Sequence, residues 1–318
     1  MSKAQLDRKL EMLEAMRLAP SVAPLRKALH DRSNYFVSKA AALTAELGIR
    51  DLIPDLVQAF DRSMIDPVKS DPQCWAKNSI AKALKDLGYN DAGFFLRGIK
   101  HIQLEPVWGG AEDTAGTLRG ASALALVTCP LPRLEILEHL ADLLAADPAK
   151  TVRADAAVAI AQLSGPDSAL LLRFKALSGD REMEVTGQCL TSLLDISPSY
   201  VPFVANFLDS KIEDVPQEAA AALGACADAS AVAVLKERYG AKPDPILTRA
   251  ILLSLAASRH SDAADFLLEV IAKSEFDHAL HALQALSVSR FRDDYRDRAA
   301  ATVRLRVDAR LSALLDKW

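Results

Sequence analysis

Apolar residues in this chain recur in one arrangement. In the stretch Asp147 to Gly165, DPAKTVRADAAVAIAQLSG, the residues Val152, Ala156, Ala157, Ala159, Ile160 and Leu163 fall on one broad helical stripe, and Arg153, Asp155 and Gln162 lie off it. Carried along the chain as offsets 0, 4, 5, 7, 8 and 11, the same pattern fits with anchors at Phe36, Ala76, Leu118, Val152, Val185, Val215 and Leu247. In those seven copies only Thr44, Ser122, Ser192, Ser254 and Ser258 are not apolar. The spacing predicts seven amphipathic helices. Shorter apolar segments with helical spacing precede them: Val22 to Leu29, Leu52 to Phe60, Ala92 to Leu104, Leu134 to Ala145, Ala169 to Leu177, Val201 to Leu208 and Ala231 to Tyr239. A looser last pair joins Ala263 to Ala272 with Phe276 to Val288. Each repeat is then a helix pair that cannot bury both of its apolar faces alone, so the pairs must stack in a row.

A second regularity accompanies the first. Five residues before the anchor stands an aspartate in the first five copies, Asp31, Asp71, Asp113, Asp147 and Asp180, where a carboxylate can cap the incoming helix or close the turn. A cation follows the anchor at Lys77, Arg119 and Arg153, so an Asp–cation ladder along the turns is expected. Half of the residues are apolar but only 6% are aromatic, with alanine prominent, which suits closely packed helices and gives an all-α class. The formal charge of −4 exerts no general pull toward nucleic acid or an anionic membrane. No apolar run approaches the length of a membrane span, and the N-terminal MSKAQLDRKLEMLEAMR has no signal-like core. Cys129, Cys189 and Cys226 occupy stripe positions, and no pair including Cys74 has metal-ligand spacing, so the cysteines read as core residues of a cytoplasmic protein.

The segments VRADAAVAIAQLSG, VPQEAAAALGACAD and FVSKAAALTAELG resemble the second helix of HEAT repeats, particularly the short bacterial kind labelled phycobilisome-lyase-like. The resemblance covers roughly residues 21 to 289 and implies an α-solenoid, a right-handed superhelix of about eight HEAT-like helix pairs. It implies scaffolding and binding rather than a particular activity. Thr186, Pro216 and Thr248 stand where the arginine is expected, so the ladder should break in the second half. The expected organisation is a capping helix over residues 1–20, the array over 21–289 and a C-terminal capping helix over 290–318. The first cap carries Leu6, Leu10, Leu13 and Met16 or Arg17 along one side; the last, read as one long helix, carries Ala299, Val303, Val307, Leu311, Leu314 and Trp318. Residues 290–318 hold eight Lys/Arg against five Asp/Glu, a possible dock for an acidic partner.

One segment departs from regularity. Seven of the thirteen glycines lie between Gly88 and Gly120, around HIQLEPVWGGAEDTAGTLRG, where Pro106, Trp108, Gly109 and Gly110 must break the helix and hold a turn. Loops on rigid scaffolds often bind, so Glu105, Trp108, Gly109, Gly110, Asp113 and Arg119 form the candidate site, with Trp75, Lys77 and Asn78 expected beside them from the preceding repeat.

Catalytic signatures are missing: no P-loop, no GxSxG, no HExxH and no dinucleotide fingerprint. His278 and His281, with Asp277, have no clear third ligand, so no metal or cofactor is assigned. Iron-binding HEAT-like hydroxylases use His-Glu pairs, and this chain has no His-Glu dipeptide. The first reading is a non-enzymatic scaffold that holds a protein or peptide on the inner face of the second helices. Lys39, Lys82 and Arg249 stand there against Glu46, Asp86, Asp155, Asp195 and Glu218. The alternative is a DNA-binding enzyme similar to HEAT-like alkylpurine glycosylases, with Trp75, Trp108 and Asp113 in the aromatic and carboxylate roles. The lack of a Lys/Arg run on that face argues against nucleic acid. Bilin-lyase activity rests on the family label alone.

Overall fold

The computed structural model describes residues 3–306, 308–315 and 318, with no side-chain description at residues 3–6 and 9. The side chain of Leu6, and Val307, both placed on expected stripes, therefore lie outside the described residues. The chain divides into two units, Met1–Leu163 and Ser164–Trp318.

The first unit contains α1 (Lys3–Leu18), α2 (Val22–Leu29), α3 (Asn34–Glu46), α4 (Ile53–Ser63), the single turn α5 (Pro67–Ser70), α6 (Trp75–Asp86), α7 (Ala92–Lys100), strands β1 (Leu104–Val107) and β2 (Gly110–Asp113), α8 (Gly116–Leu126), α9 (Arg133–Ala146) and α10 (Lys150–Leu163). The helices built on the repeated stripe, α3, α6, α8 and α10, pack one against the next, and α2, α4, α7 and α9 each cover the following stripe helix. This is a two-layer helical stack. Alanine at offsets 4, 5 and 7 lets neighbouring backbones approach: Ala40, Ala41, Ala81, Ala123, Ala156, Ala157 and Ala159 are inaccessible to solvent.

The second unit repeats the scheme. Its helices are α11 (Gly165–Ser178), α12 (Met183–Ile196), α13 (Val201–Ala205), α14 (Val215–Ala225), α15 (Ala229–Gly240), α16 (Pro245–Ala257), α17 (Ser261–Lys273), α18 (Phe276–Ser287), α19 (Arg292–Arg306) and α20 (Ala309–Leu315). The stripe helices α12, α14, α16 and α18 pack in succession, with α11, α13, α15 and α17 as their first-helix partners. None of the described helices is long and apolar enough to cross a membrane.

All seven anchors are buried, and of their stripe positions only Leu47, Leu163 and Ile196, at helix ends, are partly accessible. Two of the stripe hydroxyls bond back to their own helix, whereas the buried Ser122 hydroxyl has no hydrogen-bond partner among the described residues. Thr44 donates to the Ala40 carbonyl and Ser254 to the Ala250 carbonyl, both at 2.8 Å. The four cysteines are buried and unpaired, and burial pushes the Cys74 and Cys189 thiols up to about 12 and that of Cys129 to about 11. These thiols are packing groups, since the thiolate is what reacts.

Two expectations needed correction. The segment Ala92 to Leu104 is not helical throughout: α7 ends at Lys100 and Leu104 begins a strand, because the residue ahead of Pro106 favours extended backbone and Gln103 and Glu105 turn their amide and carboxylate inward. The C-terminal segment is two helices rather than one, and Asp308 accepts the Arg310 N–H at 2.9 Å to start the second. At the start of the second unit, where Thr186 replaces the cation after the anchor, Lys175 on α11 reaches Asp180 at 2.8 Å.

Candidate functional site

The irregular segment folds as an antiparallel hairpin on the helical stack. Leu104 pairs with Asp113, Glu105 with Glu112, Pro106 with Ala111 and Val107 with Gly110, leaving Trp108 and Gly109 as a two-residue turn. Gly109 has φ of 90°, the left-handed geometry that the third residue of a type II turn requires. Trp108 projects fully into solvent, with Leu104 and Val107 also exposed.

The root of the hairpin is buried and ionic. The Glu105 carboxylate is 5% exposed and accepts from Gln73 N–H at 2.6 Å, Gln73 Nε2 at 3.2 Å, Gln103 Nε2 at 2.7 Å and Thr114 Oγ1 at 2.8 Å. Burial pushes its pKa up, but the bonds from Gln103, Thr114 and Gln73 outweigh that, and the net direction is down. Those bonds brace a strained turn, because Gln73 and Cys74 adopt left-handed φ of 61° and 53° without being glycine.

Beside it lies the Asp–cation ladder. Asp71, inaccessible to solvent, accepts from the Ala76 and Lys77 N–H groups at 2.9 Å and from Asn34 Nδ2 at 2.9 Å, and pairs with Lys77 Nζ at 3.0 Å. Gln103 Nε2 donates to the Asp71 carbonyl at 2.8 Å, which ties the hairpin to this turn. Arg119 grips Asp147 through Nε at 2.7 Å and Nη2 at 3.0 Å, and its Nη1 meets Asp113 at 2.7 Å. One guanidinium thus joins the turn aspartates of two successive repeats. Burial raises the Asp113 pKa, but the Gln103 and Ala115 N–H groups and Arg119 bring it below the usual carboxylate range.

Of the residues expected to bind, the structure brings most together but splits them by role. Trp108, Gly109 and Gly110 form the exposed tip. Lys77, Glu105 and Arg119 are buried and consumed by internal partners, so they brace the hairpin and cannot touch a ligand directly. Asn78 reaches only the Thr114 carbonyl, at 3.5 Å. Trp75 is half-exposed and stacks edge-on against Tyr35 at 5.1 Å, with Lys39 Nζ 5.2 Å from the Tyr35 ring. Asp113, the carboxylate of the glycosylase-like alternative, is engaged by Arg119, Gln103 and Ala115.

Gln73, Gln103 and Thr114 went unrecognised in the sequence, and no local pattern marks them. Two lining carboxylates also have unexpected settings. Asp155 sits against the Cα of Gly120, and Glu218 against that of Gly187. Burial raises both pKa values; nearby Lys82 opposes the shift at Asp155, and Glu184 and Asp214 add to it at Glu218. In the basic C-terminal segment, Arg298 pairs with Asp265 at 2.8 Å, and Arg306 donates to the Ile271 and Ser274 carbonyls. His278 Nδ1 lies 2.9 Å from the Tyr239 hydroxyl.

Residues 201–287 match the family described as HEAT repeats. No curated protein matches the chain. Among solved structures, the chain is similar to human deoxyhypusine hydroxylase in complex with glycerol, at 18% identity and a TM-score of 0.32 over 80% of this chain and 91% of that one. It is also similar to the CpcE–CpcF complex of phycocyanin lyase from Nostoc sp., at 18% identity and a TM-score of 0.39 over 78% of this chain and 93% of that one. Helix pairs are stacked within each unit, and the segment over residues 201–287 matches the HEAT-repeat family.

Proposed function

We propose that this HEAT-repeat chain is a non-catalytic scaffold that holds a protein partner, and that the hairpin tip Trp108–Gly110 is a contact surface. The observation carrying this reading is the contrast within one hairpin: a fully exposed tryptophan stands on a root in which Glu105 and Arg119 are buried and partnered. A large rigid aromatic held out in water by a braced support is costly unless it is covered in use, and aromatic anchors dominate protein interfaces. In this reading residues 1–20 and 290–318 cap an array spanning 21–289, and Trp75 with Tyr35 and Lys39 extends the contact along the stripe helices.

The test is site-specific cross-linking in the source cell. A photoreactive phenylalanine at position 108 should give a discrete cross-linked protein, and the same group at Glu138, exposed on α9, should not. Once the partner is known, Trp108→Ser should weaken the complex by about tenfold or more, the loss typical of an aromatic anchor. No adduct at 108, or the same adducts from both positions, would end the proposal.

A further inference from the structure

The two outer edges of the hairpin are not equivalent. Thr114 N–H donates to the Gln103 carbonyl at 3.0 Å, so these residues form a hydrogen-bonded pair. Antiparallel alternation then makes Glu105 with Glu112 and Val107 with Gly110 the next bonded pairs. The main-chain groups of Leu104, Pro106, Ala111 and Asp113 therefore point away from the hairpin. On the β1 side the outward residue nearest the tip is Pro106, which has no N–H to offer an approaching strand. Its cross-strand neighbour Ala111 is exposed and presents both a donor and an acceptor. The β1 edge is blunted and the β2 edge is open.

Charge selects what can use that edge. Glu112 is exposed between the two outward residues, and among the described residues no ion pair reaches it, whereas Asp113 is already matched by Arg119. Pairing with a second copy of the same edge, with Ala111 opposite Asp113, would set Glu112 directly against Glu112, and like charges there repel. An extended segment with Lys or Arg at that place is attracted.

We infer that the edge Gly110–Asp113 accepts an extended segment of a partner protein as an added β-strand, with a Lys or Arg of that segment beside Glu112. Main-chain bonds to Ala111 and Asp113 set the register, and the exposed Trp108 covers one end of the added strand. This deepens the scaffold reading and rests on the hairpin being the contact surface.

The test selects random linear peptides on the purified full-length protein and synthesises those that enrich. Peptides rich in β-branched residues and carrying Lys or Arg are expected, and they should protect the Ala111 and Asp113 amides from hydrogen exchange. Ala111→Pro removes a donor that the hairpin itself does not use, so it should weaken these peptides about fivefold or more, the worth of one main-chain hydrogen bond. Ala111→Ser should leave them unchanged, and protection of the Thr114 amide verifies that the hairpin is intact. Glu112→Lys should abolish the preference for basic peptides, a readout that does not depend on how well the proline variant folds. Equal binding by Ala111→Pro with the hairpin intact, no basic preference, or no peptide that protects residues 110–113 would overturn strand addition. A cross-link at position 108 alongside such a failure would leave the scaffold reading standing, and loss of the cross-link would remove that reading separately.

Discussion

Replacing Glu105 by glutamine should loosen the hairpin from the first unit while its helices stay folded. The carboxylate collects four donors at 2.6 to 3.2 Å, three of them from Gln73 and Gln103 and one from Thr114. A carboxamide offers one accepting oxygen and turns an NH2 toward donors that need an acceptor. Bonds to a charged acceptor contribute about 1.5–3 kcal/mol each, and relief of the buried charge returns part of that, so the net cost is about 2–4 kcal/mol. The loss should stay local, because Gln73 and Cys74 store about 1–3 kcal/mol of backbone strain apiece and relax once Glu105 releases them. Acid should reveal the same contact. The folded pKa of Glu105 is depressed, so its stabilisation is complete above the unfolded value and disappears as pH falls through the folded one. Denaturant unfolding across acidic pH, with hydrogen exchange at the Gln73 and Thr114 amides, measures both effects. A cost below about 1 kcal/mol with the Gln73 amide still protected, or an unchanged acid dependence, would refute the role assigned to Glu105.

Two further outcomes probe the seams between stripe helices. A Cβ at Gly224 would lie 2.5 Å from the Ser254 carbonyl oxygen and 2.8 Å from its Cα, so Gly224→Ala should destabilise by about 1–3 kcal/mol despite the helix-propensity gain of about 1 kcal/mol. Gly240→Ala, with open space at the end of α15, should be neutral or stabilising, and equal unfolding midpoints for the two variants would contradict the packing. Asp155→Asn should stabilise the protein at neutral pH, because burial raises the folded pKa of Asp155 and only the nearby Lys82 opposes it. That advantage should shrink as pH falls through the raised value and the native carboxylate protonates; a destabilised variant at neutral pH would mean that the Lys82 interaction outweighs burial.

The stack was legible because its cause is local. Offsets 0, 4, 5, 7, 8 and 11 place side chains on one side of a helix whatever lies opposite, and the anchors from Phe36 to Leu247 are all buried. The turn aspartates were legible for the same reason: Asp71, Asp113, Asp147 and Asp180 each accept from main-chain N–H groups within a few residues. What failed to show was long-range. Lys77 reads as a ladder cation and a candidate binding residue, and only the folded chain reveals its ammonium closed over by Asp71 of its own turn and the Ser63 carbonyl. Nothing near Gln103 announces that its amide will serve both Asp71 and Glu105. On α11 the apolar residues are numerous enough to form two faces. Ala169, Leu172 and Ala176 turn inward, while Leu170, Phe174 and Leu177 are left in solvent, a choice that periodicity alone cannot make.

Asp113 explains how a hairpin can be inserted without disturbing the repeats. It is at once the last residue of β2 and the turn aspartate five positions before Leu118, so the contact that ends the insertion is the one that starts the next helix pair. Its carboxylate closes the local turn on Gln103 and Ala115 while Arg119 carries the register onward to Asp147. The seven residues from Pro106 to Glu112 therefore sit outside the accounting of the stack, since neither Glu105 nor Asp113 depends on what the tip contains. Because closing a somewhat longer loop costs little once its ends are fixed, such a position tolerates extra chain. A tryptophan placed there can be selected for what it touches, with the burial and ionic pairing that stabilise the array left to residues on either side of it.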